Sequence, residues 1–466
     1  MKHYIALTGN PRGYCDRFRF MSDTEAEDRE EGISVEELEA DVSAPTTTLI
    51  GRTLFKGGVL SAFGHRDFRI LWPGALLSNI GTWVHMTALL WFVKELTDSD
   101  AWVGAANFAN FIPVLIFVLL SGSLADQLNR KKLIIVTQAA MMLGAFALGI
   151  CTSLGLTSLG VIMGLTAFMG VAFAFNFPAW RAIVTDLCPG KDMLNAVVLD
   201  AAQFNMARFI GPALGAIILN VWGIAAAFYV NGFSFLAVIG ALLLLKTDTP
   251  GHPVPAGGTG RHIAEVLEYA WTNKWARNVL IILGVTAFFG LPFVVLLPAV
   301  SRDVLGRGAG GFGLLMGFTG LGAVMAAPLV TLVNRRISES EIIKGSTVSA
   351  GLLLVLFSLS RTFWLSLIIS IGLGASYLTM CATINTVLQS RVSRDMRGRI
   401  MSLYILVFQG VFPIGGLAMG FLADMRSATF SLFIGGAVCL VMAVVIMAFP
   451  SLLRDAASSD ATEIAG

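Results

Sequence analysis

Gly122-Ser123-Leu124-Ala125-Asp126-Gln127-Leu128-Asn129-Arg130-Lys131-Lys132 is a short charged hinge between two long apolar runs. The run before it extends from about Ala101 to Leu124, and the run after it from about Leu133 to Leu156. Each reaches the ~20 apolar residues that a helix needs to cross a bilayer. The hinge therefore turns two membrane spans back on themselves. Arg130, Lys131 and Lys132 set it on the cytoplasmic side, because short cytoplasmic loops collect Lys and Arg.

The rest of the chain repeats this pattern. Its 466 residues are 56% hydrophobic and 13% charged, with a mean hydropathy of +0.76. A soluble domain carries about 25% charged residues, so this is an all-α polytopic membrane protein. Twelve apolar runs of spanning length lie near 70–93, 101–124, 133–156, 159–180, 194–220, 225–245, 278–300, 311–332, 342–360, 363–388, 400–422 and 428–449. With a cytoplasmic N-terminus, the inner loops hold sixteen Lys and Arg. The outer loops hold five: Lys94, Arg302, Arg307, Arg361 and Arg426. That bias predicts both termini on the cytoplasmic side of a membrane crossed many times.

The runs divide into two six-span halves, 63–248 and 278–452. Residues 249–277 link them and 453–466 form a short cytoplasmic tail. Within the linker, Ile263, Val266, Leu267, Ala270, Trp271 and Trp275 recur at helical spacing. They predict an amphipathic helix lying on the inner membrane surface or packed on the bundle. Residues 1–62 are acidic and poor in apolar clusters, which predicts a mostly disordered cytoplasmic tail. Residues 1–20 lack the apolar core of a secretory signal. Met21 opens the most acidic stretch, and translation is expected to start there or later. The halves echo each other: Asn129-Arg130 recurs as Asn334-Arg335, and Lys191-Asp192-Met193 as Arg394-Asp395-Met396. Two similar halves predict a transporter whose site lies between them.

The hinge resembles the signature loop of the major facilitator superfamily. Ser78-Asn79-Ile80-Gly81-Thr82-Trp83, Trp91-Phe92-Val93-Lys94-Glu95-Leu96-Thr97 and Phe111-Ile112-Pro113 resemble one branch, the enterobactin-exporter and macrolide-efflux group of transmembrane secretion effectors. Asn195-Ala196, the block from Ala207 to Ala213, Leu388-Gln389 and the block from Arg397 to Tyr404 agree with it. There are departures. Asn129 stands where the family loop usually has Gly, and is expected to tolerate the left-handed backbone of a tight turn. Thr331 stands where a second acid would mirror Asp126. Span 4 lacks the arginine of many proton-coupled exporters, and Ala207 replaces a glycine upstream of Gly211, Pro212 and Gly215. That last element resembles the helix-packing motif of antiporters.

The resemblance implies a cytoplasmic gate of Gly122, Asp126, Arg130, Arg397 and Arg399. In it Asp126 caps a neighbouring helix or pairs with Arg130, or simply makes a loop salt bridge. Inside the spans, ionisable groups are costly and face a cavity or a partner. Arg208 and Asp200 are the sharpest cases, with Gln203 between them on span 5. Asp200 is expected to exchange a proton during transport, or to sit near the inner surface. Arg208 is expected to meet substrate or a partner, or to act as a hydrogen-bond hub. Asn79, His85, Asn110, Asn385 and Gln409 complete the candidate pathway, each equally readable as interhelical glue. Phe288, Phe289, Phe293, Phe408 and Phe412 suit a planar apolar ligand or the core.

These features predict a secondary active exporter of a small amphipathic molecule, siderophore or drug-like, coupled to the proton gradient. Import or lipid flipping by the same fold are alternatives, as are an intramembrane enzyme or a transport-dead sensor. No Gly-rich loop ending Gly-Lys-Ser or Gly-Lys-Thr is present for ATP, and no His-Glu-x-x-His or Gly-x-Ser-x-Gly for hydrolysis. No cofactor, metal or nucleic acid is expected, and the protein is expected to be a monomer.

Overall fold

The structure, a computed structural model, describes residues 58, 60–247, 249, 271–333, 337–392 and 394–453. All lie in the unit Phe55–Gly466. The acidic tail, its expected start at Met21, and linker residues 263–270 fall outside the described residues.

Each apolar run is a helix, and no strand occurs among the described residues. They are α1 (Arg66–Thr97), α2 (Asp100–Gln127), α3 (Arg130–Ser153) and α4 (Leu159–Leu187). Next come α5 and α6, the two limbs of Met193–Leu244 that meet at Gly223. The second half holds α7 (Lys274–Val304), α8 (Ala309–Val333), α9 (Glu339–Leu359), α10 (Phe363–Arg391), α11 (Arg394–Ile405 continuing as Val411–Met425) and α12 (Ala428–Ala448). Eleven segments are long and apolar enough to cross a membrane, and one of them, Gly190–Leu244, has 55 residues. That length is ~80 Å of helix against a ~30 Å hydrocarbon core. The break at Gly223 (φ 81°, ψ 178°) makes it two spans. Only glycine adopts that backbone readily.

The turns follow from local chemistry. Ser99, Ser158, Asn273, Ser338 and Ser427 each accept a backbone N–H at the start of the next helix. Such caps satisfy donors that a helix cannot satisfy itself. Asn129 does the same for α3, accepting from Lys132 N at 3.0 Å. It has φ −60° and ψ 113°, so the expected left-handed turn does not form there. A side-chain amide that caps the next helix removes the need for it. Trp275 is buried in the second half under Arg391, whose guanidinium carbon is 5.5 Å from the ring, whereas Trp271 is exposed.

The first half packs α1 on α5, and the second packs α8 on α10. A Cβ on Gly215 would meet Thr87 Cβ at 3.2 Å and Val84 Cα at 3.3 Å, and one on Gly211 would overlap Trp83 Cβ. The Gly211-Pro212-Gly215 element is thus the face by which α5 lies against α1, as small residues permit in lipid. The halves meet where α8 crosses α5 and α11 crosses α2. A Cβ on Gly320 would stand 2.5 Å from Arg208 O, and one on Gly104 2.6 Å from Gly416 O. Among the described residues, three π-helical turns interrupt this framework: Thr286–Gly290 and Val300–Val304 in α7, and Leu406–Gly410 in α11. Such turns appear mostly within longer helices and often at functional sites.

Candidate transport pathway and its closed end

The seam between α1 and α5 carries a line of polar contacts. Trp72 Nε1 donates to Leu199 O (3.0 Å), and Asn79 Nδ2 to Gln203 Oε1 (3.1 Å). Gln203 Nε2 donates to Asp200 Oδ1 at 3.2 Å, and Trp180 Nε1 of α4 donates to the same oxygen at 3.0 Å. Asp200, 8% exposed, is thereby held between two helices. Further along, the Arg208 guanidinium lies over the Trp83 ring, 5.6 Å from its centroid. That is within cation–π range. Asn79 and Trp83 are i and i+4 on α1, so one face of α1 presents both.

The other predicted residues scatter. His85 is buried against Phe228 of α6, ring centroids 4.9 Å apart, and its Nδ1 has no partner among the described residues. Its ring thus packs between α1 and α6. Asn385 accepts a hydrogen bond from Gln389 on its own helix. Gln409 lies in the π turn of α11. Asn110 is half-buried on α2, where its carbonyl abuts Gly170 of α4. Phe293 is core, stacked on Tyr377 at 5.7 Å, while Phe412 meets Phe111 across the halves at 5.9 Å. Of the expected gate, the side chains of Asp126 and Arg399 fall outside the described set. Arg397 is exposed, and a Cβ on Gly122 would meet nothing within 4 Å. Arg130 grips Asp186 of α4, at 2.8 Å from Oδ1 and 2.6 Å from Oδ2. The end of α6 is tied to the start of α1, where Asp67 Oδ2 accepts from Lys246 N (2.9 Å) and Thr247 N (2.7 Å).

A cavity of about 430 Å³ lies between α2, α4 and α11, lined by Val114, Ser121, Ala174, Phe177, Pro178, Arg181, Ala182 and Ile405. Arg181, one of the sixteen cations assigned above to inner loops, is inside α4, because that helix continues to Leu187.

Sequence reasoning missed the charged cluster at the opposite end. Lys94 of α1 is 4% exposed, with Nζ 2.9 Å from Asp100 Oδ1 and 3.4 Å from Asp303 Oδ2 of α7. Arg302 binds Asp98 and, at 2.7 Å, Asp303. Asp424 at the end of α11 accepts from Ser99 Oγ (2.5 Å), Asp100 N (2.6 Å) and Ala101 N (3.2 Å). Asp98 takes a left-handed backbone (φ 53°), which Asp tolerates better than most side chains. Among the described residues, every ion pair between the halves belongs to this cluster, a lock at the end away from the hinge. The signal was Lys94, Asp98 and Asp100 around one tight turn.

The Arg302 guanidinium beside Asp98 holds its carboxyl below the usual carboxylate range. A carboxylate with a lowered pKa contributes above its ordinary pKa and stops contributing as pH falls through the lowered value. The Asp98–Arg302 contact is therefore expected to be indifferent to pH between about 5 and 8 and to fail only below about 4. Accessibility of a cysteine placed beneath the lock, followed over a pH series, checks this. A change in labelling near neutral pH that depends on Asp98 would contradict it.

Two six-helix halves, crossing through glycines and joined at one end by ion pairs, have the architecture of a membrane transporter of the major facilitator type. The chain belongs to the transmembrane secretion effector family, whose match covers residues 57–464. It is 24% identical over 380 residues to the staphyloferrin A transporter of Staphylococcus aureus, spanning 80% of this chain and 94% of that one. It is 26% identical to the multidrug efflux pump Tap of Mycobacterium tuberculosis (75% and 85%) and 19% identical to macrolide efflux protein A of Streptococcus pyogenes (81% and 94%). Its fold is similar to a POT family transporter solved with 5-aminolevulinic acid, at TM-score 0.69 and 12% identity, covering 84% of this chain and 97% of that one. It is also similar to the nucleoside transporter NupG, at TM-score 0.65 and 14% identity, covering 82% and 98%. Among the described residues no three His, Cys, Asp or Glu cluster as metal ligands.

Proposed function

We propose that this protein exports a small amphipathic molecule across the plasma membrane by alternating access, driven by the proton gradient. The hinge end, with Arg130, Lys131 and Lys132, faces the cytoplasm, as do both termini, and the lock faces outside. The observation that carries the reading is the lock itself. It joins α1 and α2 of one half to α7 and α11 of the other, so breaking it frees the halves to rock about the glycine crossings. The pathway runs along Asn79, Gln203, Asp200 and Arg208, and Asp200 carries the proton. Asp126 with Arg397 and Arg399 forms the opposing gate. Export accords with the efflux named in the Tap and macrolide relatives. The siderophore named in the staphyloferrin relative is compatible with a small amphipathic cargo.

Cells expressing the protein are expected to accumulate less of an amphipathic fluorescent dye than cells lacking it. A protonophore is expected to abolish the difference. Greater accumulation on expression would mean import, and a difference that survives the protonophore would remove the proton.

A further inference from the structure

Two guanidinium groups within the helices have no acid partner among the described residues, and one carboxylate, Asp200, is held there by neutral donors alone. Arg208 is half-buried on α5 at the crossing with α8, backed by the Trp83 ring at 5.6 Å. No carboxylate pairs with it among the described residues. Arg181 is exposed on the wall of the 430 Å³ cavity, 5.4 Å over Phe177, and likewise has no acid partner among them. The described acids are already engaged. Asp67 holds Lys246 and Thr247, Asp186 holds Arg130, and Asp192 accepts from Ser61 and pairs with His65. Asp200 holds Trp180 and Gln203. Asp98, Asp100, Asp303 and Asp424 make the lock, and Glu339 and Glu341 pair with Arg391 and Lys344. Glu95 alone has no bonded partner among them, and it is exposed at the lock end.

A cation away from bulk water is costly until an anion joins it. Among the described residues, a positively charged cargo would meet two guanidinium groups and a single carboxylate, Asp200, already hydrogen-bonded by Trp180 and Gln203. An anion would find two counterions in sequence. Arginine suits a carboxylate because its donors form a planar fork. The aromatic ring behind each guanidinium, with Val114, Ala174, Pro178 and Ile405 around the cavity, suits an apolar body.

We propose that the cargo is an amphipathic anion, an apolar body bearing a carboxylate. Arg181 receives it in the cavity and Arg208 holds it at the crossing of the halves. This rests on the transporter reading above and adds the charge of the substrate.

Three probes that share one ring system isolate that charge: 1-naphthylacetate, 1-naphthylacetamide and 1-naphthylmethylammonium. Equilibrium binding of each to the purified full chain in nanodiscs is the measurement. The acetate is expected to bind at least about tenfold tighter than the amide, a 1.4 kcal/mol preference, and tighter still than the ammonium. Arg208→Gln is expected to bring acetate and amide to within about twofold, and Arg208→Lys to keep part of the preference, because Lys retains the charge without the fork. Arg181→Gln is expected to slow acetate association and leave its dissociation unchanged. No binding of the acetate, equal binding of acetate and amide by the unaltered protein, or a full preference in a folded Arg208→Gln overturns the proposal. The unaltered protein's preference needs no variant to fold. Charge-blind binding would leave export standing. Anion preference without any effect on cellular accumulation would remove export alone.

Discussion

Replacing Lys94 by methionine is expected to cost about 3–5 kcal/mol of stability and to unseal the end where α1 and α2 meet α7 and α11. The magnitude is that of breaking a buried ion pair by removing one partner. Lys94 is almost fully buried, and its ammonium serves Asp100 at 2.9 Å, Asp303 at 3.4 Å and Asp98 at 3.9 Å. Without it, Asp100 keeps a buried charge with no cation, while Asp424 still presses against its backbone N–H. Methionine conserves most of the volume, so the loss is electrostatic rather than a cavity. Two measurements check the expectation. Thermal melting of the purified protein reports the stability, and a cysteine at Thr87, fully buried beside Met316 of α8, reports the seal. In Lys94→Met the Thr87→Cys thiol is expected to react with a membrane-impermeant maleimide added from the lock side. Adding Asp100→Asn is expected to restore part of the melting temperature, because the orphaned charge is gone. An unchanged melting curve together with an unreactive thiol would show that the cluster is ornament.

The lock also shows where sequence reading stops. The twelve spans were legible because each is a continuous apolar run, although α4 extends seven residues past its predicted end and α11 begins six residues before its predicted start. The break at Gly223 was legible as a gap between two runs. The lock was not, because Lys94, Asp303 and Asp424 are far apart in the chain and each alone reads as an ordinary loop charge. The same counting hid Arg181, since an apolar run ends where its first charge appears even when the helix goes on to Leu187. The pairing of Arg130 with Asp186 is a tertiary fact of α3 and α4, invisible in the hinge alone. The π turns at Thr286–Gly290 and Leu406–Gly410 interrupt runs that read in the sequence as continuous apolar helix. Of the candidate residues, Asn79, Asp200, Gln203 and Arg208 stood out in the sequence because polar groups on apolar helices must find partners. His85 stood out for the same reason, yet its seat is against Phe228.

The pathway yields the second large effect. Asp200→Asn is expected to reduce proton-driven export by at least about tenfold, equivalent to 1.4 kcal/mol or more of lost driving interaction. The same variant is expected to leave exchange of labelled for unlabelled cargo within about twofold. The geometry makes this substitution a clean one. Both described hydrogen bonds to Asp200, from Trp180 Nε1 at 3.0 Å and Gln203 Nε2 at 3.2 Å, fall on Oδ1. Asparagine keeps an acceptor at that position, so α4 and α5 stay joined and the Gln203–Asn79 contact stays in register. What disappears is the charge and the oxygen Oδ2, which no described side chain occupies and which remains for a proton. On the proposed cycle, exchange needs only the rocking of the halves around bound cargo, whereas net export needs the proton to return the empty carrier. Proteoliposomes separate the two, with a pH gradient imposed in one arm and equal pH with trans cargo in the other. Full gradient-driven transport by the variant would take the proton away from Asp200. Loss of both activities would mean that Asp200 holds Trp180 and Gln203 in place for structure, and that the coupling proton travels elsewhere.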